Sequence, residues 1–576
     1  MTRFPLSIYL VALLSLFQLS GCSQEPNAPA QQAAIASAHP LATQAGMDVL
    51  AKGGNAFDAA VATAAVLAVV EPYSAGMGGG GFWLLHDAKQ NKNIFLDARE
   101  KAPLKAHRDM YLDEKGDIVP KLSINGAMAA GIPGQAAAFV HLAEKYGQLP
   151  LSQSLKASID IAASGFPVDS YYRKLAGFRL KALKQYDETA SIFLDEKKQI
   201  PKEGYVIKQQ DLSETLQAIA DNGLHGFYSG QVAIQLVNAV KAAGGIWSLQ
   251  DLQKYTVGER EPVMTELVTS QGQYKIISAP PPSSGGLAIA QMMNMLSQLK
   301  QDKNIDWQTA SEADQVHIIS EVMRRAYRDR AMYLGDPDFV SIPTEKLLDM
   351  DYAKNFIQSI DMNKATLSSE LGDPVTVNEG FHTTHLSVLD SAGNRVSATL
   401  SINLPFGSAF TAKGTGVLLN NEMDDFSSKP GVPNAYGLVG NEANAIAPEK
   451  RPLSSMTPSF VESGQLGEET VAILGTPGGS RIITMVMLGM LEHMQNKPVE
   501  DWVSRKRFHH QYLPDVIQHE PDTFNEETKK ALMAKGHTLR SVGRQYGNMH
   551  AILLDKKNGR VTAASDPRGI GQALVQ

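Results

Sequence analysis

Four groups of residues have the types and spacing to do chemistry. A polar stretch ends at His382, and Thr383-Thr384-His385 follows at the start of an alternating apolar and polar run. A hydroxyl on the first residue of a strand can attack the carbonyl before it, shift the acyl bond from nitrogen to oxygen, and leave, after hydrolysis, a chain beginning with threonine. That residue then carries nucleophile and base together, because a free α-amine, with an unperturbed pKa of about 8, can take the hydroxyl proton near neutrality. By itself the tripeptide is equally the start of an ordinary strand. Asp424-Asp425 offers two carboxylates to a cation, but alone it would serve as well as a helix cap or a calcium ligand. His509-His510 is conspicuous, yet neighbours on one strand point to opposite faces, which favours a structural or surface role over joint metal binding. The glycine run at residues 76–81 lacks the Lys-Ser/Thr of a phosphate loop and reads as close backbone packing. No Gly-x-Ser-x-Gly elbow in a convincing context and no zinc-type His/Glu spacing is present.

The elements that must position these groups follow from periodicity. Residues 41–51 have helical spacing, and residues 56–69 are almost wholly apolar, fit for a buried helix. Residues 82–85 and 93–97 are short strand candidates, so buried helices and strands already suggest a layered α/β arrangement. Residues 133–242 are mainly helical in pattern. Residues 280–286, with three prolines and two glycines, form a rigid turn before an apolar helix at 287–299. Residues 313–334 make an amphipathic helix whose Arg324, Arg325, Arg328 and Arg330 read as a solvated or ion-paired face. Residues 362–379 are polar and aperiodic, as an exposed linker would be. Residues 383–390 and 395–401 alternate around the turn Ser391-Ala392-Gly393-Asn394, which predicts a β-hairpin. Residues 417–419 and 471–474 are buried-strand candidates, and 480–493 reads as a helix directly after Gly478-Gly479.

From about residue 39 onward the chain resembles γ-glutamyltranspeptidases, a family of N-terminal-nucleophile hydrolases. The resemblance rests on Asp97-Ala98-Arg99-Glu100, residues 280–286, Thr383-Thr384-His385, the stretch from Asn420 to Phe426, the stretch from Arg451 to Pro458, and Pro477-Gly478-Gly479-Ser480-Arg481. It implies an α/β (α+β) fold, a four-layer αββα sandwich built jointly by two subunits cut from one precursor. Residues 39–382 would be the large subunit, and residues 383–576 the small one, beginning with the nucleophile Thr383. The implied activity acts on glutathione and other γ-glutamyl compounds, passing the acyl group to water or to an amino acid or dipeptide acceptor. Arg99, Ser454 and Ser455 would bind the substrate α-carboxylate, a task suited to a forked guanidinium. Asn403, Glu422 and Asp425 would receive the α-ammonium. Gly478 and Gly479 would form the oxyanion hole, where N–H groups at a helix start suit a developing negative oxygen. Ser401 stands where the family often has a second threonine that orients the nucleophile; serine keeps the hydroxyl and loses the methyl. Residues 430–441, with Tyr436, resemble a lid loop over the substrate. No metal or organic cofactor is implied. Related folds that deacylate glutaryl-type β-lactams or act on poly-γ-glutamate, and an inactive binding protein, are the alternatives; a retained Glu422/Asp425 pair speaks for a substrate with an α-amine.

The chain is 43% hydrophobic and 20% charged, as ordinary globular proteins are, and its net charge of −7 argues against a nucleic-acid partner. Arg3 followed by an apolar run over residues 6–17 reads as a secretory signal, and Leu19-Ser20-Gly21-Cys22 resembles a bacterial lipobox. Cys22 is the single cysteine, which excludes disulfides within the chain and a catalytic thiol in the body. The expectation is a signal at residues 1–21, a lipidated Cys22, a flexible tether at 22–38, and a periplasmic lipoprotein of a Gram-negative bacterium that touches membrane only through its lipid.

Overall fold

The computed structural model describes residues 32–372, 383–429, 442–464 and 470–576. Two antiparallel sheets stand face to face. The first has seven strands in the order Gln572–Val575, Ala34–Ser37, Thr384–Leu389, Arg395–Ser401, Gly80–Asp87, Lys92–Ala98 and Gly258–Arg260. The second has six, in the order Arg560–Ser565, His550–Asp555, Thr470–Gly475, Ser459–Ser463, Gly272–Ser278 and Val263–Thr269. Strand alternation sorts side chains between layers. Phe82 and Leu84 join the core shared with the second sheet, whereas Trp83 and Leu85 join the core under the outer helices. Helices Pro40–Ala51 and Ala56–Val70 cover the first sheet; Gly285–Lys303 and Ile482–His493 cover the second. This is the αββα sandwich that the sequence implied.

Every residue of helix Ala56–Val70 is buried, and its many alanines let the neighbouring helix approach closely. A Cβ on Gly46 of that neighbour would stand only 2.3 Å from Thr63 Oγ1. The helix start is closed by a capping box, in which the Asn55 side chain accepts from Phe57 and Asp58 N–H and the Asp58 carboxylate accepts from Asn55 N–H. Asp390 Oδ2 accepts the Ala56 N–H at 2.9 Å, a carboxylate on the positive end of the helix. Asp390 lies in the turn of the hairpin Thr384–Leu389/Arg395–Ser401, so the buried helix and the predicted nucleophile hairpin are fastened to each other.

Three expectations change. Residues 34–37, read as part of the tether, form a strand within the first sheet, between Gln572–Val575 and Thr384–Leu389. Four residues of Ala-Ile-Ala-Ser are too short and too small to stand out by periodicity. Within the predicted linker at 362–379, Ala365, Thr366 and Ser368 are buried; Thr366 N–H donates to Glu321 Oε1, and Ser368 Oγ donates to Tyr512 O. The rest of that linker from residue 373, with Tyr436 and Cys22, lies outside the described residues. The arginine-bearing helix Glu312–Tyr333 is not a solvated face, since Arg324, Arg325 and Arg330 are all buried. Arg325 pairs with Glu321 at 2.6 Å, and Arg324 pairs with Asp515, which is the ion-paired arm of the expectation. The glycine run behaves as read. A Cβ on Gly78, Gly79 or Gly80 would stand 2.1–2.3 Å from the carbonyl oxygens of Leu418, Ser401 and Ala98 respectively.

Candidate active site

Thr383 opens the hairpin strand and is only 5% exposed. Leu400 pairs with Thr384, so the register sets Ser401 beside Thr383. Thr383, His385 and Ser387 share the face toward the second sheet. On that face Ser387 Oγ donates to His550 O at 3.1 Å, Ser397 Oγ donates to Leu474 O at 3.2 Å, and the His385 ring lies against Gly475. A Cβ on Gly475 would come 2.2 Å from that ring, so glycine is required for the strand end to sit so close. Three residues further on, the chain turns at Gly478 (φ 149°) and Gly479 (φ 58°) into a 3-10 turn, Gly479–Arg481, and the helix Ile482–His493. The helix therefore begins slightly later than its sequence pattern suggested. Among the described residues no acceptor takes the N–H of Gly478 or Gly479. On the opposite face of the strand, Thr384 Oγ1 donates to Glu71 Oε2 at 2.7 Å. Burial raises the Glu71 pKa to about 7 against the opposing effect of that hydrogen bond.

Arg99, at the end of strand Lys92–Ala98, is 1% exposed. Its Nη1 donates to Glu422 Oε1 at 2.8 Å and its Nη2 to Asp425 Oδ2 at 2.5 Å. Nε and Nη2 also donate to the carbonyls of Pro452 and Leu453, at 3.2 and 3.3 Å. Burial opposes the charge of Arg99, but Glu422, Asp425 and Glu100 together hold its pKa above the ordinary value. One cation thus faces two buried carboxylates, Glu422 and Glu100, and a third, Asp425, that is 13% exposed. Burial raises all three: Glu422 reaches about 8 despite Arg99, and Glu100 is held well above the usual carboxylate range. The residues expected to bind a carboxylate and those expected to bind an ammonium are here paired with each other. Ser401 Oγ accepts the Asn403 N–H at 2.7 Å, and its hydroxyl opposes the rise of the Glu422 pKa, which couples the hairpin end to this charged group. Asn403 has φ 71°, a strained left-handed conformation that asparagine tolerates better than most residues, and its Nδ2 donates to Asn421 O.

Ser454 is locked to residues 280–286, and Ser455 follows it. Ser454 O accepts from both the N–H and the Oγ of Ser284, at 2.8 and 2.7 Å, and Ser454 N–H donates to Pro282 O. Arg330 lies behind them, its Nε donating to Ser284 Oγ at 3.0 Å and its Nη2 to Ser455 Oγ at 3.4 Å. It has no carboxylate in ion-pairing range among the described residues, and burial lowers its pKa to about 10. The sequence reading missed Arg330 as a site residue. One signal was available: Ile319, Met323, Ala326, Tyr327 and Arg330 recur at helical spacing on one buried face.

Arg99, Arg330, Thr383, Ser401, Asn403, Asp425, Ser454, Ser455 and Gly479 line one narrow cleft. Glu422 stands behind it, reached through Arg99 and Ser401, and Gly478 borders a neighbouring cleft. His509 and His510 are buried and structural. His509 bonds Thr484 and Gln511, and His510 bonds Asp515. His317, Glu321 and His537 have ligand atoms close enough to hold a metal ion. However, the two histidines bond each other at 2.8 Å, and Glu321 is engaged by Arg325 and Thr366.

Comparison with known proteins agrees with this arrangement. Glutathione hydrolase proenzyme of Escherichia coli (strain K12) is 40% identical over 94% of this chain and 91% of its own length. The crystal structure of cephalosporin acylase from Bacillus halodurans superposes with a TM-score of 0.80 at 27% identity, covering 98% of this chain and 99% of that one. The Helicobacter pylori γ-glutamyltranspeptidase crystal structure gives a TM-score of 0.55 at 40% identity, over 58% of this chain and 93% of that one. The family profile described as Gamma-glutamyltranspeptidase matches residues 42–576, and with it the chain belongs to the γ-glutamyltranspeptidase family.

Proposed function

We propose that this chain is a proenzyme that cuts itself before Thr383 and then acts as a γ-glutamyltranspeptidase and glutathione hydrolase. The observation that carries the proposal is one cleft holding a strand-opening hydroxyl, a glycine turn whose N–H groups meet no acceptor among the described residues, and a guanidinium paired with carboxylates. In maturation, Thr383 Oγ attacks the His382 carbonyl carbon, the C–N bond breaks, and water hydrolyses the resulting ester. Residues 39–382 and 383–576 then persist as a paired heterodimer.

In turnover the freed α-amine takes the Thr383 hydroxyl proton as Oγ attacks the γ-amide carbonyl. Gly478 and Gly479 hold the oxyanion through their N–H groups. The C–N bond breaks, the leaving amine takes the proton, and a γ-glutamyl ester remains on Thr383. Water or the amine of an amino acid or dipeptide then attacks that ester. Ser401 orients the Thr383 hydroxyl.

The substrate's zwitterionic end exchanges partners with the charged group already in place. Its α-carboxylate goes to Arg99, Ser454 and Ser455, and its α-ammonium to Asn403, Glu422 and Asp425. A buried ion pair met by a ligand of both signs keeps every charge matched, which avoids the cost of an unpaired buried charge. Nothing in these steps calls for a metal or an organic cofactor. Secretion, lipidation at Cys22 and a periplasmic location complete the proposal; palmitate labelling that persists in Cys22→Ala would refute the anchor.

A glutaryl acylase is the second reading, suggested by the likeness to cephalosporin acylase. It leaves Glu422 and Asp425 without a substrate cation. Intact-mass analysis of the purified protein beside Thr383→Ala, together with γ-glutamyl and glutaryl anilides, tests the whole reading. Two fragments, the smaller starting at Thr383, an uncut variant and a preference for the γ-glutamyl anilide are expected. A parent chain that stays whole, or that prefers the glutaryl anilide, overturns it.

A further inference from the structure

Helix Ala56–Val70 is tied to the nucleophile hairpin at both of its ends. At its start, Asp390 in the hairpin turn accepts the Ala56 N–H at 2.9 Å. At its finish, Glu71 Oε2 accepts from the Thr384 hydroxyl at 2.7 Å. The two lengths agree: the 15 helical residues rise about 22 Å, and an extended strand from Thr384 to Asp390 covers about 20 Å. The helix packs along that strand and acts as a splint for it. We propose that Glu71 is a positioning residue for self-cleavage, fixing the backbone of Thr383 through the hydroxyl of Thr384. The inference rests on the cut before Thr383 proposed above.

The two ties are chemically unequal. A carboxylate is favoured at the positive start of a helix and opposed at its negative finish. Asp390 stands at the start, whereas Glu71 caps the finish and is buried. Among the described residues no cation offsets the Glu71 charge. The groups that face it are the Tyr73 hydroxyl from the loop after the helix, Asp169 and Tyr171 at the start of helix Ser170–Leu183, and Thr384 from the hairpin; Asp169 adds repulsion. The Tyr73 ring is walled in turn by Tyr171, Tyr172 and Phe406, with ring centres 5.6, 5.9 and 6.2 Å away. A carboxyl in so dry a place, at the wrong end of a helix, costs stability that an apolar side chain would not. What this costly group holds is the hydroxyl one residue beyond the nucleophile.

Self-cleavage demands more of that backbone than turnover does. Thr383 Oγ must close a small ring onto the carbonyl carbon that precedes its own nitrogen. The O–C bond forms, the C–N bond breaks with its electron pair left on nitrogen, and that nitrogen gains the hydroxyl proton. The torsions of Thr383 decide whether Oγ meets the carbon. Pairing of Thr384 with Leu400 sets the register of the strand, and the bond from Thr384 to Glu71 restrains its twist from the other face. Orientation of reacting atoms is worth orders of magnitude in rate. After the cut, the nucleophile attacks a separate molecule, which can adjust its own approach, so the restraint matters less.

The test follows the cutting of full-length chains made by cell-free translation, on gels over time, beside thermal melts of the same variants in an uncut Thr383→Ala background. Thr384→Val keeps the shape and removes the donor; it should cut at least about tenfold more slowly than the parent, the loss of one hydrogen bond to a carboxyl. Thr384→Ser and Glu71→Gln keep a donor and an acceptor and should cut within about threefold of the parent. Glu71→Leu/Thr384→Val replaces both partners by apolar groups, which is close to neutral for stability. Its melting temperature should match or exceed that of Thr384→Val while its cutting stays slow. Once cut, each variant should turn over γ-glutamyl-p-nitroanilide with kcat/KM within about threefold of the parent. A Thr384→Val chain that cuts at the parent rate, a double variant whose cutting recovers with its stability, or equal losses in cutting and turnover overturn the role of Glu71 alone. A parent chain that stays whole overturns the self-cleavage reading, and this inference with it. If the double variant fails to fold, slow cutting in Thr384→Val with recovery in Thr384→Ser supports the role, and equal rates in the two overturn it.

Discussion

Replacing Arg99 with glutamine should produce a defect whose size depends on pH in a particular direction. Arg99 lies 2.8 Å from Glu422, 2.5 Å from Asp425 and 3.9 Å from Glu100, and it also donates to two backbone carbonyls. Removing one member of a buried ion pair costs about 3–5 kcal/mol, because the partner is left charged and dry. The stranded carboxylates can escape that cost only by taking up protons. Their folded pKa values, already raised by burial, then rise further, so the folded state binds more protons than the unfolded one from the ordinary carboxylate range up to those raised values. Stability therefore falls with rising pH, and falls more steeply in Arg99→Gln than in the parent, by up to about 1.4 kcal/mol per extra proton per pH unit. Thermal melts at pH 5, 7 and 8.5 should show a small deficit at pH 5 that widens toward pH 8.5. Activity adds a second axis. Losing the forked contact to an α-carboxylate should lower donor kcat/KM at least about a hundredfold, given roughly 1.5–3 kcal/mol for each charged hydrogen bond. A 4-aminobutyryl anilide, which lacks that carboxylate, should lose far less, and lysine, a point charge without the fork, should restore only part of the loss. A deficit that shrinks as pH rises, or a γ-glutamyl kcat/KM within about threefold of the parent, would refute this account of the charged group.

Four further outcomes can be checked. Glu422, raised to about 8 by burial, must ionise to receive an ammonium, so donor kcat/KM should rise with pH and level off near 8; Glu422→Gln should flatten that profile in steady-state assays. The same raised pKa means that Glu422 favours the folded state most at acid pH, a contribution lost as pH rises through about 8. Gly475→Ala forces a methyl to within 2.2 Å of the buried His385 ring, and should cost about 1–3 kcal/mol in denaturant titrations as well as slow maturation. Ser401→Ala removes the acceptor for the Asn403 N–H and should slow self-cleavage on gels, whereas Ser401→Thr should process at least as fast as the parent. Arg330→Met removes the guanidinium that fixes Ser284 and Ser455; donor KM should rise severalfold with the anilide kcat less affected.

Legibility in the sequence followed the range of the forces involved. Helix Ala56–Val70 and hairpin Thr384–Leu389/Arg395–Ser401 were readable because burial and strand alternation leave a local period. Strand Ala34–Ser37 was not, because its existence is decided by partners hundreds of residues away, at 386–389 and 572–575. Arg99, Thr383 and the glycine turn could be named as candidates from long motifs, but no local pattern shows that Arg99 spends its charge on Glu422 and Asp425. Arg330 reads as part of a helix face because a basic helix normally faces water, and only the packing of residues 280–286 against 452–458 makes it part of a cleft.

The strand order of the first sheet bears on how two pieces could ever come together. Read across, it runs from the C-terminus, to residues 34–37, to the hairpin that opens at Thr383, and then to strands 80–87 and 92–98. A segment from before the proposed cut is thus threaded between two segments from after it. Separating the pieces would mean unravelling both borders of one short strand, so cutting the chain changes its covalent bonding and leaves its weave intact. Such a weave is formed most easily while the chain is still one molecule, when its ends share a high effective concentration. Once cut and unfolded, the two pieces would have to find that interlaced order as strangers in solution. Maturation is in this sense a stitch tied after the cloth is woven, and recovery after denaturation should depend on protein concentration for the cut form and not for the whole one.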